Sequence, residues 1–252
     1  FEEDLGGIID TTTLISSLTI QNGNTQEDSL YISPHGGGIY CSYSNPTLKN
    51  LTITGNSTSF NGRGGGIYCV ESSPNLVNVT VRDNSAENDG GGIFCYWSNL
   101  TLENVIISGN SAIESGGGIE FRDSSPTFTN VTINNNLAEW SIGGVNCIRS
   151  SPSLTNVSIT DNIGGGIGID SSNVSLVNCI LWNDSPQEIY MESGSITATY
   201  SNIQGGWEGE GNIDADPLFC DAGNGDYTLV SNSPCVNTGQ DGADMGAFGV
   251  GC

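Results

Sequence analysis

The sequence predicts an all-β solenoid made of stacked copies of one short unit, and three observations carry that prediction. The string Gly-Gly-Gly-Ile recurs at 36–39, 64–67, 90–93, 116–119 and 164–167, with a degenerate copy, Ile-Gly-Gly-Val, at 142–145. These starts are spaced by 28, 26, 26, 26 and 22 residues. Each Gly run is followed by a second string, at 45–53, 73–81, 99–107, 125–133 and 151–159, which always carries an Asn at one place: Asn50, Asn78, Asn104, Asn130 and Asn156. Asn178 and Asn202 continue that series. Within the units apolar residues alternate, so that Leu48, Leu51 and Ile53 recur as Leu76, Val79 and Val81, and Ile67 and Cys69 recur as Ile93 and Cys95.

Each element follows from local chemistry. A period of two places alternate side chains on one face of a strand. The segments are too short and too rich in Gly and Asn for helices. A unit of 22–28 residues cannot bury its apolar face alone, so the units must stack. Stacking identical units puts identical residues in columns. The Asn50 column is expected to face inward at a turn, each amide bonding to the units above and below. A second series, Asn56, Asn84, Asn110, Asn136 and Asn162, lies six residues further on. The Gly runs fit tight corners that need positive φ.

Composition narrows the function. The 252 residues carry 28 acids against 5 Lys and Arg, a net charge of −23, and only 13% are charged, so Ser, Thr, Asn and Gly must form most of the surface. No apolar run reaches the ~18 residues of a membrane helix. Five scattered cations do not make a nucleic-acid footprint. The 36 glycines are roughly twice ordinary usage.

The Gly-Gly-Gly-Ile-Tyr-Cys and Ser-Pro-x-Leu-x-Asn-Val-Thr-Ile strings over 13–204 resemble the right-handed parallel β-helix repeat proteins of bacterial secreted and surface origin. The strings at 212–219, 225–229, 233–235 and 244–248 are similar to the ending of large extracellular members of that group. The resemblance implies a right-handed parallel β-helix of about eight coils over 1–204, with an irregular C-terminal cap over 205–252 packed on the last coil. It also implies that 1–10 is an acidic lead, that coil one starts near Thr13, and that the chain is the C-terminal part of a longer protein. An uncapped first coil would then leave unpaired backbone groups, a site for end-to-end self-association.

Cys41, Cys69, Cys95 and Cys147 share one repeat position with Phe121 and Ile169, an inward apolar slot in which Cys acts as a small hydrophobe. Cys179 takes the slot of Val157. Cys220, Cys235 and Cys252 lie outside the repeats. A disulfide among them is one reading, with Cys220–Cys252 the first choice because it would tie down the C-terminus.

If Ile67 and Cys69 face inward, the residues between them face outward. That column reads Tyr40, Tyr68, Phe94, Glu120, Asn146 and Gly168, and beside it run Tyr96, Arg122 and Asp170, then Trp97, Asp123 and Arg149. Tyr40, Tyr68, Phe94, Tyr96 and Trp97 are thus expected to form an exposed aromatic strip suited to sugar rings. Glu120, Arg122, Asp123, Arg149 and Asp170 are the candidate catalytic set should the chain act on an acidic polysaccharide as a lyase or hydrolase. Asp214, Asp216, Asp221, Asn224 and Asp226 are the candidate Ca²⁺ ligands. His35 is expected at a solvated loop. Thr52, Thr54, Thr80, Thr132, Ser158 and Thr160 make a broken outward ladder of the kind ice-binding surfaces use. Glycosylation at Asn50, Asn78, Asn130 and Asn156 is disfavoured by their expected inward placement. The reading is an extracellular or cell-surface module that binds a polysaccharide or another surface partner without catalysis. A polysaccharide lyase or hydrolase and a self-stacking filament subunit are the alternatives.

Overall fold

A computed structural model describes residues 9–25 and 35–252, so most of the acidic lead (1–8) lies outside the described residues. Three parallel sheets build a solenoid. The first has seven strands, from Ile39–Ser42 to Ile189–Met191. The second has thirteen, with a main path of eight from Leu14–Ser16 to Gly194–Thr199. The third has five two-residue strands, from Asn24–Thr25 to Leu137–Ala138. The coils at the two ends therefore lack one sheet or another, so the expected figure of about eight holds only along the second sheet.

Register is strict: Ile67 pairs with Ile93 and Ile93 with Ile119, and Cys41, Cys69 and Cys95 stack in sequence. Cys41, Cys69, Cys95 and Cys147 are fully buried free thiols, as the shared slot with Phe121 and Ile169 requires. Burial pushes the Cys179 thiol up to about 12, consistent with an inert core residue.

The two Asn series exchange the roles expected of them. Asn50, Asn78, Asn104, Asn130, Asn156 and Asn178 all have φ between 52° and 54° and occupy an outward corner. Asn tolerates that left-handed conformation better than other side chains, which explains the column. Their amides still form a chain, Asn78 Nδ2 donating to Asn50 Oδ1 at 3.1 Å and Asn104 Nδ2 to Asn78 Oδ1 at 3.2 Å. The inward ladder is instead Asn56, Asn84, Asn110, Asn136 and Asn162, all at most 1% exposed. From Asn84 to Asn162, each Oδ1 accepts both the backbone N–H and the Nδ2–H of the preceding ladder Asn, as in Asn84 to Asn110 at 3.0 and 2.9 Å, while Asn56 Oδ1 accepts the Gly23 N–H alone. Nδ2 also donates to a strand carbonyl, for Asn110 that of Val81 at 3.0 Å. A third ladder joins Ser44, Ser72, Ser98, Ser124, Ser150 and Ser172, each backbone N–H donating to the next Oγ at 2.8–3.1 Å.

The Gly run is needed where the ladder meets the first sheet. Gly90 has φ +66°, and a Cβ on Gly91 would lie 2.2 Å from the Ser111 carbonyl oxygen. Neighbouring coils approach there closer than any side chain permits.

Asp184 ends the buried ladder, its Oδ1 accepting from Asn162 N and Nδ2 at 2.7 and 2.8 Å. Glu188 lies beside it and accepts the Asp184 N–H at 3.0 Å. Asp184 Oδ2 and Glu188 Oε2 are buried with no other partner. Burial, and for Asp184 the neighbouring Glu188 carboxyl, raise both groups above the ordinary carboxylate range, so the pair releases its protons at higher pH than free carboxyls do.

The chain after 205 does more than close the last coil. Asn212 Oδ1 accepts from Ser201 N at 2.9 Å and Trp207 packs on the main core, which covers the end. The segment then doubles back along the outward face of the second sheet. Its Tyr227 hydroxyl donates to Asp161 Oδ2 at 3.1 Å and accepts from Asn135 Nδ2 at 2.9 Å, and Ala247 N donates to Ser158 Oγ at 3.0 Å. Leu229, Cys235 and Met245 bury Ile180 in a second small core. The expected outward Thr ladder is thereby corrected: Thr132, Ser158 and Thr160 are each 1% exposed, beneath this belt. Asn178 keeps the corner conformation but is buried beneath the belt and holds it, its Oδ1 accepting from Gln240 N at 2.7 Å. Cys220 and Cys252 form a disulfide and Cys235 stays a buried thiol.

Two outcomes test this description. Asn110→Ala orphans the Asn84 amide groups and the Val81 carbonyl, and urea unfolding is expected to show a loss of about 3 kcal/mol. For the Asp184–Glu188 pair, the unfolded chain releases its protons near the ordinary carboxylate pKa of about 4, while the folded chain releases them at higher pH. The folded state then binds more protons, so this contribution to stability falls as pH rises above about 4. Asp184→Asn keeps the acceptor for Asn162 and supplies a donor toward Glu188 without a titrating proton. Its stability, followed by thermal melts from acid to neutral pH, is expected to decline less than that of the parent chain.

Candidate functional site

The outward face of the first sheet is where sequence and structure differ most. Tyr40, Tyr68 and Phe94 do stack, at 5.3 Å between successive rings, but Tyr68 and Phe94 are buried. His35 is not a solvated loop residue: its ring stacks on Tyr68 at 4.4 Å and its Nδ1 accepts from Arg63 N at 3.2 Å. Arg63 and Arg122 both lie over the Phe94 ring, at 5.3 and 5.4 Å. The expected exposed strip is therefore corrected for Tyr68 and Phe94. The cover comes from the segments between the third sheet and the Gly turn, around 59–63, 87–89, 113–115 and 139–141.

The candidate catalytic residues divide into three places. Glu120 is fully buried and accepts from Arg122 Nε at 2.6 Å and Asn146 Nδ2 at 3.3 Å. Arg122 Nη2 also reaches Asp89 Oδ2 at 2.7 Å, and Arg63 Nε donates to the same oxygen at 2.8 Å. Two buried carboxylates and two guanidiniums thus form one compensated quartet. Burial and the Asp89 charge push the Glu120 carboxyl up, with Arg122 opposing them. Asp123 and Arg149 form a separate exposed bidentate pair, at 2.8 and 2.7 Å, on the left-handed corner that also carries Tyr43, Glu71 and Trp97. The Arg149 guanidinium holds the Asp123 carboxyl below its usual range. Asp170 accepts from Ser171 and Ser193 hydroxyls at 3.0 and 2.9 Å. Of the proposed sugar contacts, Trp97 remains open, 54% exposed and stacked on Tyr96 at 4.2 Å.

The candidate calcium ligands Asp216, Asp221 and Asp226 make local contacts. Asp216 accepts from Leu218 N, Asp221 from Asn224 Nδ2 and Asp226 from Thr228, each a local turn cap. Among the described residues no three His, Cys, Asp or Glu side chains gather to hold a metal.

A groove opens where the cover stops. In the units carrying Asn84, Asn110 and Asn136, the next turn start (90, 116, 142) lies six positions after the ladder Asn. After Asn162 it lies only two positions on, at Gly164, with Ile163 alone between them, so no covering loop forms. The last loops, with Glu114, Ser115 and Trp140, then face the bare sheet at Asp170, Tyr190 and Glu192 across a cavity of about 440 Å³. A second cavity of about 550 Å³ continues from it, sharing Trp140, Tyr190 and Glu192. Trp140 is 74% and Tyr190 49% exposed. The shortened 22-residue spacing was the signal in the sequence that marked this place.

These features define a parallel β-solenoid with a lateral groove cut into one face. Residues 9–153 match the family model described as right handed beta helix region, which spans more than half of the chain, and the chain belongs to that family. Comparison with curated proteins gives no match. The family match ends before the bare wall that carries Asp170, Tyr190 and Glu192.

Arg122→Ala leaves Asp89 and Glu120 buried without their shared cation, and urea unfolding is expected to show a loss of about 3–5 kcal/mol. Arg149→Ala removes an exposed pair and is expected to leave the unfolding midpoint nearly unchanged.

Proposed function

We propose that this chain is a non-catalytic β-helix module of the cell surface or extracellular space that binds a glycan in the lateral groove. The observation that carries this reading is the exposure of Trp140 and Tyr190 on a continuous cleft with polar walls. Exposed aromatic faces receive the apolar faces of sugar rings, and hydroxyls bond to the flanking polar groups. A binding role is favoured over hydrolysis because Glu120, the candidate acid, is enclosed and engaged by Arg122 and Asn146. The Cys220–Cys252 disulfide supports an oxidising compartment.

A glycan array probed with and without Ca²⁺ tests the reading. The expected result is a hit that Trp140→Ala weakens about tenfold or more, a loss of about 1.4 kcal/mol, without lowering the melting temperature. A blank array overturns it. If Trp97→Ala abolishes binding and Trp140→Ala does not, the site moves to the Tyr96–Trp97 corner.

A further inference from the structure

We propose that the groove takes a cationic glycan, a chain of sugars bearing free amines. This rests on the glycan-binding reading of the same groove and adds the charge of the ligand. Around the groove, Asp89 and Glu120 are neutralised by Arg63 and Arg122. Glu114, Asp170 and Glu192 line it and enter no ion pair among the described residues, which leaves the groove with surplus negative charge. An independent observation points to a missing partner at the same place. Ser115 lines the groove, is only 9% exposed, and its buried Oγ has no hydrogen-bond partner among the described residues. A ligand donor or acceptor reaching that hydroxyl would satisfy a group that is costly to leave unmade.

The size and walls of the site select among cations. No three metal-ligating side chains converge among the described residues, so the surplus charge is not arranged around a single metal ion. The two joined cavities, about 440 and 550 Å³, suit successive units of a chain better than one small ligand. Trp140 and Tyr190 offer faces that attract both a pyranose ring and an ammonium group. The net charge of −23 reinforces the choice: it repels polyuronates and draws in a polycation from a distance.

The experiment is calorimetric titration of the full chain with a glucosamine oligomer, its fully N-acetylated counterpart, a galacturonate oligomer and spermine. The glucosamine oligomer is expected to bind at least about tenfold more tightly than the acetylated one, and to weaken as salt is raised. Glu192→Gln, an exposed change that leaves the fold intact, is expected to shrink that preference several-fold, and Trp140→Ala to weaken both oligomers together. Equal affinity for the two oligomers overturns the charge inference while the glycan-binding reading stands. Spermine binding as tightly as the glucosamine oligomer also overturns it, because the ligand is then a small polyamine. If no sugar binds, both readings fall.

Discussion

Everything in this molecule hangs on the buried amide ladder of Asn56, Asn84, Asn110, Asn136 and Asn162. Each carboxamide from Asn84 onward accepts twice from the coil on one side of it, and all five donate to a strand carbonyl. The arrangement works only if every coil presents the same atom at the same height. It therefore fixes the register of all three sheets, and with it the stacking of like residues: Ile on Ile, Cys on Cys, Ser on Ser. A side chain one methylene longer, or a coil one residue out of phase, would leave polar groups unpaired in a dry interior. The glycines beside the ladder follow from the same demand, since adjoining coils come within 2.2 Å of where a Cβ would sit.

Much of this was legible in the amino-acid order, and the failures have physical causes. Period two told inside from outside for Ile67, Cys69, Ile93 and Cys95, because strand geometry allows no other answer. The Asn columns were confused because both recur with the same spacing. What separates them is φ: Asn50 and its equivalents sit in the left-handed region at an outward corner, and the sequence does not print φ. The ring column of Tyr68 and Phe94 does point away from the core, as alternation requires. It is buried because a loop folds over it, and alternation carries no information about what another segment covers. Trp140, Tyr190, Glu192 and Ser115 were missed for the converse reason. Ser115, Trp140 and Glu192 lie in the irregular stretches that a search for repeats sets aside, and Tyr190 lies on a strand beyond the last recurring Gly run.

The protein handles its two sets of buried acids by different means. Asp89 and Glu120 are balanced by guanidiniums that also lie over an aromatic ring. Asp184 and Glu188 enter no ion pair among the described residues, and burial raises both above the ordinary carboxylate range. The distinction follows position. The first pair lies at the loops over the first sheet, where two guanidiniums reach it, and the second closes the amide ladder, where the Asp184 carboxyl takes the place of a carboxamide.

The loops that cover the first sheet all leave the solenoid at one corner, between the third sheet and the Gly turn. A residue gained or lost there alters no rung, because the ladder Asn precedes it and the Gly turn resets the register after it. The spacings of 28, 26 and 22 residues record such changes with the stack intact. The groove is thus a place where insertion and deletion, rather than substitution, reshape the ligand surface. One loop lengthened after Asn162 would roof it over, and one shortened after Asn136 would extend it by a further coil.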